Sequence, residues 1–374
     1  MKIGITCYPT YGGSGVVATE LGKKLAESGH EVHFISYAIP YRLNSFHSRL
    51  FFHEVKVLEY SLFEHTPYCL SLASKMAEIA EFAHLDILHV HYAIPHATSA
   101  YLAREMIKGD KLKFVTTLHG TDITLIGSDP SYSKIVEFSI DQSNGVTAVS
   151  KYLKTETKKV FNIKKPIEVI YNFIPDQFLN VRPSTDLKSC FKPDGQFVLT
   201  HISNFRPVKR TPDLLEIIKI LIKKDKKYKL VLVGDGPDRS KLEFKCRELE
   251  LCEYIIFLGK QDNIAEILNA SDLFLMTSET ESFGLAALEA LACGVPCITT
   301  NTGGLKEVNI HGETGYITDV GNIEAFAEYI GKIKADSALY KKLSKNAKKY
   351  ALSNFRSDRI VPQYVAHYEQ VLAR

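Results

Sequence analysis

The sequence predicts an α/β protein built from two doubly wound domains, and three observations carry that prediction. A chain of 374 residues exceeds what one compact core usually serves. Short β-branched runs alternate with longer amphipathic stretches in both halves. The alternation breaks once, over "NFIPDQFLNVRPSTDLKSCFKPDG" (Asn172 to Gly195), where Pro175, Pro183 and Pro193 mark an irregular linker.

In the first half, "KIGITCY", "HEVHFISY", "DILHVHY", "FVTTLHG" and "GVTAVS" are apolar runs bounded by turn residues, the pattern of buried parallel strands. Between the first two lies "GVVATELGKKLAESG", whose Val17, Leu21 and Leu25 share one helical stripe and whose Gly29 is the stop, so the unit reads βαβ. The second half repeats the theme with "QFVLTHIS", "YKLVLVGDG", "YIIFLGK", "DLFLMTS" and "VPCITTN", separated by stretches such as "TPDLLEIIKILIKK". The expected domains are 1–175 and 190–357, each offering a ligand site beyond the carboxyl ends of its strands.

Composition narrows the function. With 46 Lys+Arg against 43 Asp+Glu the net charge is +3, too small for a general nucleic-acid binder. The basic runs "KKDKKYK" and "KKLSKNAKKY" read as solvated helix faces, so no stable membrane association is expected. Seven cysteines without a C-x-x-C pair argue against a disulfide framework or zinc ribbon and suit a reducing compartment. The opening "MKIGITCYP" lacks the long apolar core of a secretory leader, so a cytoplasmic protein is expected. Whether two copies pair, the sequence leaves open.

The stretch "YGGSGVVA" (Tyr11 to Ala18) stands between the first strand and the first helix. Gly12, Gly13 and Gly15 let the backbone turn sharply and come close to a ligand, and the helix start offers unpaired N–H groups to an anion. The spacing matches neither G-x-G-x-x-G nor G-x-x-x-x-G-K-[ST], and a tight turn with close packing explains it equally well.

A more specific constellation lies in the second half. In "ETESFGLAALEALACGVPCITTNTGG" (Glu279 to Gly304), "SFGLAALEALAC" reads as a helix closed by Gly294 and Pro296, with Glu281 just before it and Glu289 two turns in. Glu289 stands among leucines and alanines, where an idle charge would be costly to bury. The loop "HISNFRPVKRTPD" (His201 to Asp213) gathers Arg206, Lys209 and Arg210 after a strand, the residue types that clamp a diphosphate. An exposed basic loop and a helix cap are the plainer readings of these groups.

On these residues the chain resembles a retaining GT-B glycosyltransferase of glycosyltransferase family 4, with two Rossmann-like domains facing across a cleft, over essentially its whole length. Glu281 and Glu289 match the family's E-x7-E motif, the basic loop its diphosphate segment, and "GGLKEV…HGETGYI" (Gly303 to Ile317) the end of its donor site. Within the family, "GITCYPTYGGSGVVATELGKKLA", "PYRLN", "DILHVHYAIPHA", "TTLHGTDIT" and "HISNFRPVKR" resemble the members that glycosylate L-malate. The resemblance implies transfer of N-acetylglucosamine from UDP-N-acetylglucosamine to the malate hydroxyl with retention, the opening step of bacillithiol biosynthesis. No cofactor and no metal are expected; the chain has no D-x-D, and His89 and His91, two apart on one strand, are read as structural.

The resemblance also distributes roles. Lys209 and Arg206 neutralise the diphosphate, Glu281 lies near the donor sugar, and His119 lies near its hydroxymethyl group. Glu289 holds the ribose, with Gly12, Gly13, Phe283, Gly284 and Leu285 around the donor. Ser14, Tyr92, Thr121 and Arg42 are assigned to the acceptor; the backbone from Gly259 to Asn263 is assigned to uracil from its position in the fold alone. One position departs from the pattern: many members place an arginine after a glycine five residues before the lysine, where this chain has Asn204, while Arg206 stands three before Lys209. The last helix, 358–374, is expected to cross back onto the first domain, and catalysis to require closure about the linker.

Three alternatives stay open on sequence. A family 4 enzyme acting on inositol phosphate, a sugar phosphate or a cell-surface glycan would share every donor-side motif. A UDP-sugar epimerase would consume donor without acceptor. A nucleotide-binding module would bind UDP without turnover.

Overall fold

The computed structural model describes residues 1–44, 46–57, 65–107, 112–125, 127, 129–179, 181 and 185–374. Of the predicted linker, Asn180 and Arg182, Pro183 and Ser184 lie outside the described residues. The chain divides into two compact units, Met1–Phe173 with Ser357–Arg374, and Ile174–Arg356.

The first unit holds a parallel sheet of β1 (Lys2–Thr6), β2 (Glu31–Ser36), β3 (Leu50–Glu54), β4 (Ile87–His91), β5 (Lys113–Leu118), β6 (Gly145–Ala148) and β7 (Ile167–Val169), in the order β3-β2-β1-β4-β5-β6-β7. The order reverses between β1 and β4, so the loops after these two strands flank the switch point where such folds bind ligands. Ile3, Ile5, Val32, Phe34 and Ile87 are fully buried, each contributing roughly 1.5–3 kcal/mol of apolar burial. The helix Ser357–Leu372 adds Ile360, Tyr364, Tyr368 and Val371 to that core. The Tyr368 hydroxyl also meets His89 Nδ1 at 2.7 Å.

The second unit repeats the design with β8 (Phe197–Ile202), β9 (Tyr228–Val233), β10 (Ile255–Gly259), β11 (Leu273–Met276), β12 (Cys297–Thr300) and β13 (Gly315–Thr318), all parallel, in the order β10-β9-β8-β11-β12-β13. Its switch point lies between β8 and β11, and the loops that follow these strands carry Arg206–Arg210 and Thr277–Gly284.

Five elements differ from the sequence reading. Strands β3, β7 and β13 were not expected. β3 has a half-exposed pattern, β7 is three residues long, and β13 lies within the motif read as the end of the donor site. From Ile174 onward the described residues of the predicted linker belong to the second unit: Ile174 N–H bonds to the Phe355 carbonyl at 2.8 Å, Phe178 and Phe191 are buried, and Thr185–Phe191 is helical. The helix read from Ser282 begins at Leu285, because Gly284 takes φ +97° and turns the chain three residues later. A Cβ on Gly284 would stand 2.4 Å from Leu305 Cδ2, so both space and backbone demand glycine.

Candidate active site

In the second unit, the short 3-10 turn Pro207–Lys209 is pinned to the loop after β11 by Glu279 N–H on the Val208 carbonyl (2.8 Å) and by the Thr277 hydroxyl on the carbonyls of Lys209 (3.0 Å) and Arg210 (3.2 Å). This lock brings Lys209 Nζ onto Glu281 Oε1, and the Ser278 hydroxyl donates to the same oxygen at 3.2 Å. Both side chains are largely covered, at 19% and 13% exposure. Glu281 is in turn fixed from its backbone, whose carbonyl accepts Gly304 N–H at 2.9 Å. The result is a cation and an anion held at the switch point with little freedom.

The other residues assigned to the donor differ in their surroundings. Glu289 is buried at 6% exposure on the helix Leu285–Ala292. That helix has no side-chain cap, so its first-turn N–H groups are available to an anion. Phe283 is buried edge-on against Phe355, with ring centroids 5.8 Å apart, so its side chain serves the core. Arg206 is exposed, while Arg210 is held by Asp213 at 2.8 and 3.3 Å. Of the three cations in the loop, Lys209 alone meets Glu281.

In the first unit, Gly12 precedes the helix Gly13–Glu27, which again lacks a side-chain cap. A Cβ on Gly15 would stand 2.5 Å from the Tyr8 carbonyl and 2.7 Å from that of Thr10, whereas one on Gly12 would meet only the Thr10 hydroxyl at 3.4 Å. Close packing therefore explains Gly15, while Gly12, Gly13 and Ser14 form the open start of the helix. Tyr11 stacks on Tyr41 at 3.9 Å, and the Arg42 guanidinium lies 5.5 Å from the Tyr41 ring, which sets Arg42 beside the glycine loop.

On β4 and just after β4 and β5 lies a histidine array. His91 Nδ1 meets His119 Nε2 at 2.8 Å, His89 Nε2 meets the Thr117 hydroxyl at 2.6 Å, and His96 Nδ1 donates to the His91 carbonyl. Burial pushes His89 and His119 down to about 3, His96 to about 4, and His91 well below the ordinary value, so the array is neutral near pH 7. Because His96 gives its Nδ1 proton to a carbonyl, its Nε2 is a bare acceptor, buried without a hydrogen-bond partner among the described residues. Among those residues no group of three or more His, Cys, Asp or Glu is placed to hold a metal. Tyr92 stands with its ring 5.3 Å from His119 and 5.4 Å from Tyr8, at φ +89°, and Thr121 begins the turn Thr121–Leu125.

Sequence reasoning passed over the residue that organises these turns. Asp122, 1% exposed, accepts Ala93 N–H at 2.9 Å on one oxygen and Gly120 and His119 N–H at 2.9 and 3.3 Å on the other. It thereby ties the loop after β4 to the loop after β5. Burial raises its pKa, and the backbone donors oppose that rise. The available signal was an acid in the turn that follows a buried apolar strand.

Comparisons with known proteins identify the family and the fold. A family model described as "Glycosyltransferase Family 4" matches residues 11–178, and one described as "Glycosyl transferases group 1" matches residues 184–350. The chain belongs to glycosyltransferase family 4 and has its GT-B fold. It is 50% identical over its full length to N-acetyl-alpha-D-glucosaminyl L-malate synthase of Bacillus anthracis, covering 97% of that protein. Among solved structures it is similar to Anabaena Alr3699/HepE in complex with UDP and glucose (TM-score 0.80, 21% identity, 98% of each chain). It is also similar to sucrose-phosphate synthase from Thermosynechococcus elongatus (TM-score 0.81, 21% identity, 100% of this chain and 99% of that one). No helix among the described residues is long and apolar enough to cross a membrane.

Proposed function

We propose that this protein transfers N-acetylglucosamine from UDP-N-acetylglucosamine to the hydroxyl of L-malate with retention of the α configuration, without a metal, as the first step of bacillithiol biosynthesis. The full-length 50% identity to a glucosaminyl-malate synthase supports the substrates. The single observation that carries the chemistry is the Lys209–Glu281 contact at the switch point of the second unit.

A departing UDP gains negative charge as the glycosidic bond breaks, and a preorganised cation is what that step requires. Lys209 supplies the charge and Glu281 holds it in place. Arg206 and the uncapped start of the Leu285 helix add to the phosphate field. Glu289 accepts from the ribose hydroxyls. Glu281 is engaged by Lys209 and by Ser278, which suits an anchor rather than a nucleophile; a covalent retaining mechanism asks for two carboxylates flanking the bond. The acceptor proton therefore passes to the donor phosphate in a front-face attack.

In the first unit, the glycine loop with Ser14 and Arg42 offers donors to the malate carboxylates, and Tyr92, Thr121 and neutral His119 offer polar contacts without adding charge. The test is UDP release from UDP-N-acetylglucosamine with and without L-malate, in EDTA, with the product weighed. Malate-dependent formation of a glucosaminyl-malate adduct supports the reading. Donor turnover with inositol phosphate or a sugar phosphate instead replaces the acceptor, acceptor-free consumption points to an epimerase, and loss of activity in EDTA overturns metal independence.

A further inference from the structure

The sulfurs of Cys246 and Cys252 lie 3.9 Å apart in the second unit, with the Cys246 thiol donating to Cys252. Cys246 is buried with Leu242 and Leu251 in the last turn of the helix Arg239–Glu248. Cys252 is exposed on the 3-10 turn Cys252–Tyr254 that leads into β10. Between them the chain makes a Schellman closure. Glu250 takes φ +56°, its N–H returns to the Arg247 carbonyl at 3.1 Å, and Leu251 N–H returns to the Cys246 carbonyl at 3.0 Å. The backbone thus fixes the two sulfurs opposite each other.

We propose that Cys246 and Cys252 form a reversible oxidation site that closes an intramolecular disulfide when the protein meets hydrogen peroxide. The two thiols play different parts. Burial holds Cys246 up to about 12, so it remains an S–H donor toward the exposed Cys252. The Cys252 thiolate attacks one peroxide oxygen, the O–O bond breaks, and hydroxide leaves, giving a sulfenic acid. The Cys246 sulfur then attacks Cys252, the S–O bond breaks, and the hydroxyl departs with the Cys246 proton as water. Two thiols lose two electrons and two protons, and the peroxide becomes two waters. A bonded pair of sulfurs sits at about 2 Å, so the two must close from 3.9 Å.

The site resolves its own sulfenic acid, which distinguishes Cys252 from Cys190, exposed on the helix Thr185–Phe191. The experiment treats the full-length protein with hydrogen peroxide, alkylates the remaining thiols, and maps the peptides by mass. The expected result is a crosslinked Cys246–Cys252 peptide lighter by two hydrogens, two fewer free thiols than the seven of the sequence, and full recovery with dithiothreitol. The Cys252→Ser variant, altered at an exposed position, keeps its thermal midpoint and forms no crosslink. In Cys246→Ser, Cys252 accumulates as sulfenic and sulfinic acid. Recovery of wild-type Cys252 as sulfinic acid, at the rate seen for Cys190 and without a crosslinked peptide, overturns the proposal.

Discussion

Lys209 Nζ and Glu281 Oε1 are in contact across 72 residues of sequence, joined where the loops after β8 and β11 meet. Both groups are largely covered, so the cost of removing two charges from water offsets much of their attraction. The value of the contact lies in placing a charge without freedom to drift. Replacing Lys209 by Met should keep the fold and lower kcat by roughly 10²-fold or more, as when one preorganised donor to a developing charge is removed. Steady-state UDP release, with thermal unfolding as the control, measures it. A near-normal kcat would exclude Lys209 from leaving-group stabilisation.

Asp122 offers a test on the other unit. Asp122→Asn preserves volume but turns a two-oxygen acceptor into a group with only one, so either Ala93 N–H or the Gly120 and His119 pair loses its partner. The loops carrying Tyr92 and His119 should loosen. We expect kcat to fall by about 10-fold or more while the affinity for UDP stays within about two-fold, a split that general unfolding would not give. Calorimetric UDP binding beside turnover decides it, and equal losses in both would refute a positioning role.

The helix Ser357–Leu372 is tied to the first unit by the buried hydrogen bond between Tyr368 and His89 as well as by its apolar face. Tyr368→Phe removes the hydroxyl from His89 Nδ1 and should cost about 1–3 kcal/mol, the range for an orphaned buried polar group. Chemical unfolding followed by circular dichroism reads this directly. An unchanged midpoint would mean that His89 finds another partner. Ending the chain at Arg356 removes Ile360, Tyr364 and Val371 as well, and should abolish the folded first unit and its activity.

The neutral histidines make stability depend on pH with a definite sign. Their folded pKa values, about 3 for His89 and His119 and about 4 for His96, lie below the unfolded value near 6.5. The unfolded chain therefore binds more protons in that window, so stability is full above about pH 6.5 and is lost as pH falls toward about 4. The urea midpoint measured from neutral to mildly acidic pH should fall steadily, and less steeply in a His96→Gln variant. A flat profile would show that these rings titrate normally.

Glycine at 15 is required by space alone. Gly15→Ala would press a methyl group onto two backbone carbonyls and should displace the Tyr8–Gly12 loop, whereas Gly12→Ala meets only the Thr10 hydroxyl. We expect Gly15→Ala to lower both stability and activity and Gly12→Ala to lower activity first. Parallel thermal and kinetic measurements separate the two, and the reverse order would contradict this reading of the loop.

The sequence by itself determined the fold class, the two-domain division, the family and the loops in which functional groups gather. It did so because buried parallel strands write their burial as unbroken apolar runs, and because residues such as Glu281 and Glu289 stand at fixed spacing within one segment. Edge strands escaped it. β3 alternates too weakly and β7 is too short for a local pattern to reveal what a neighbouring strand supplies. The linker escaped it as well, since its prolines announce irregular backbone but not the bond from Ile174 to Phe355 that folds it into the second unit. Only the tertiary structure decided that Lys209 rather than Arg210 meets Glu281, that Phe283 serves the core, and that Asp122 joins two loops. Each depends on crossovers that bring distant residues into contact, and a contact of that kind leaves no periodicity in the chain that makes it.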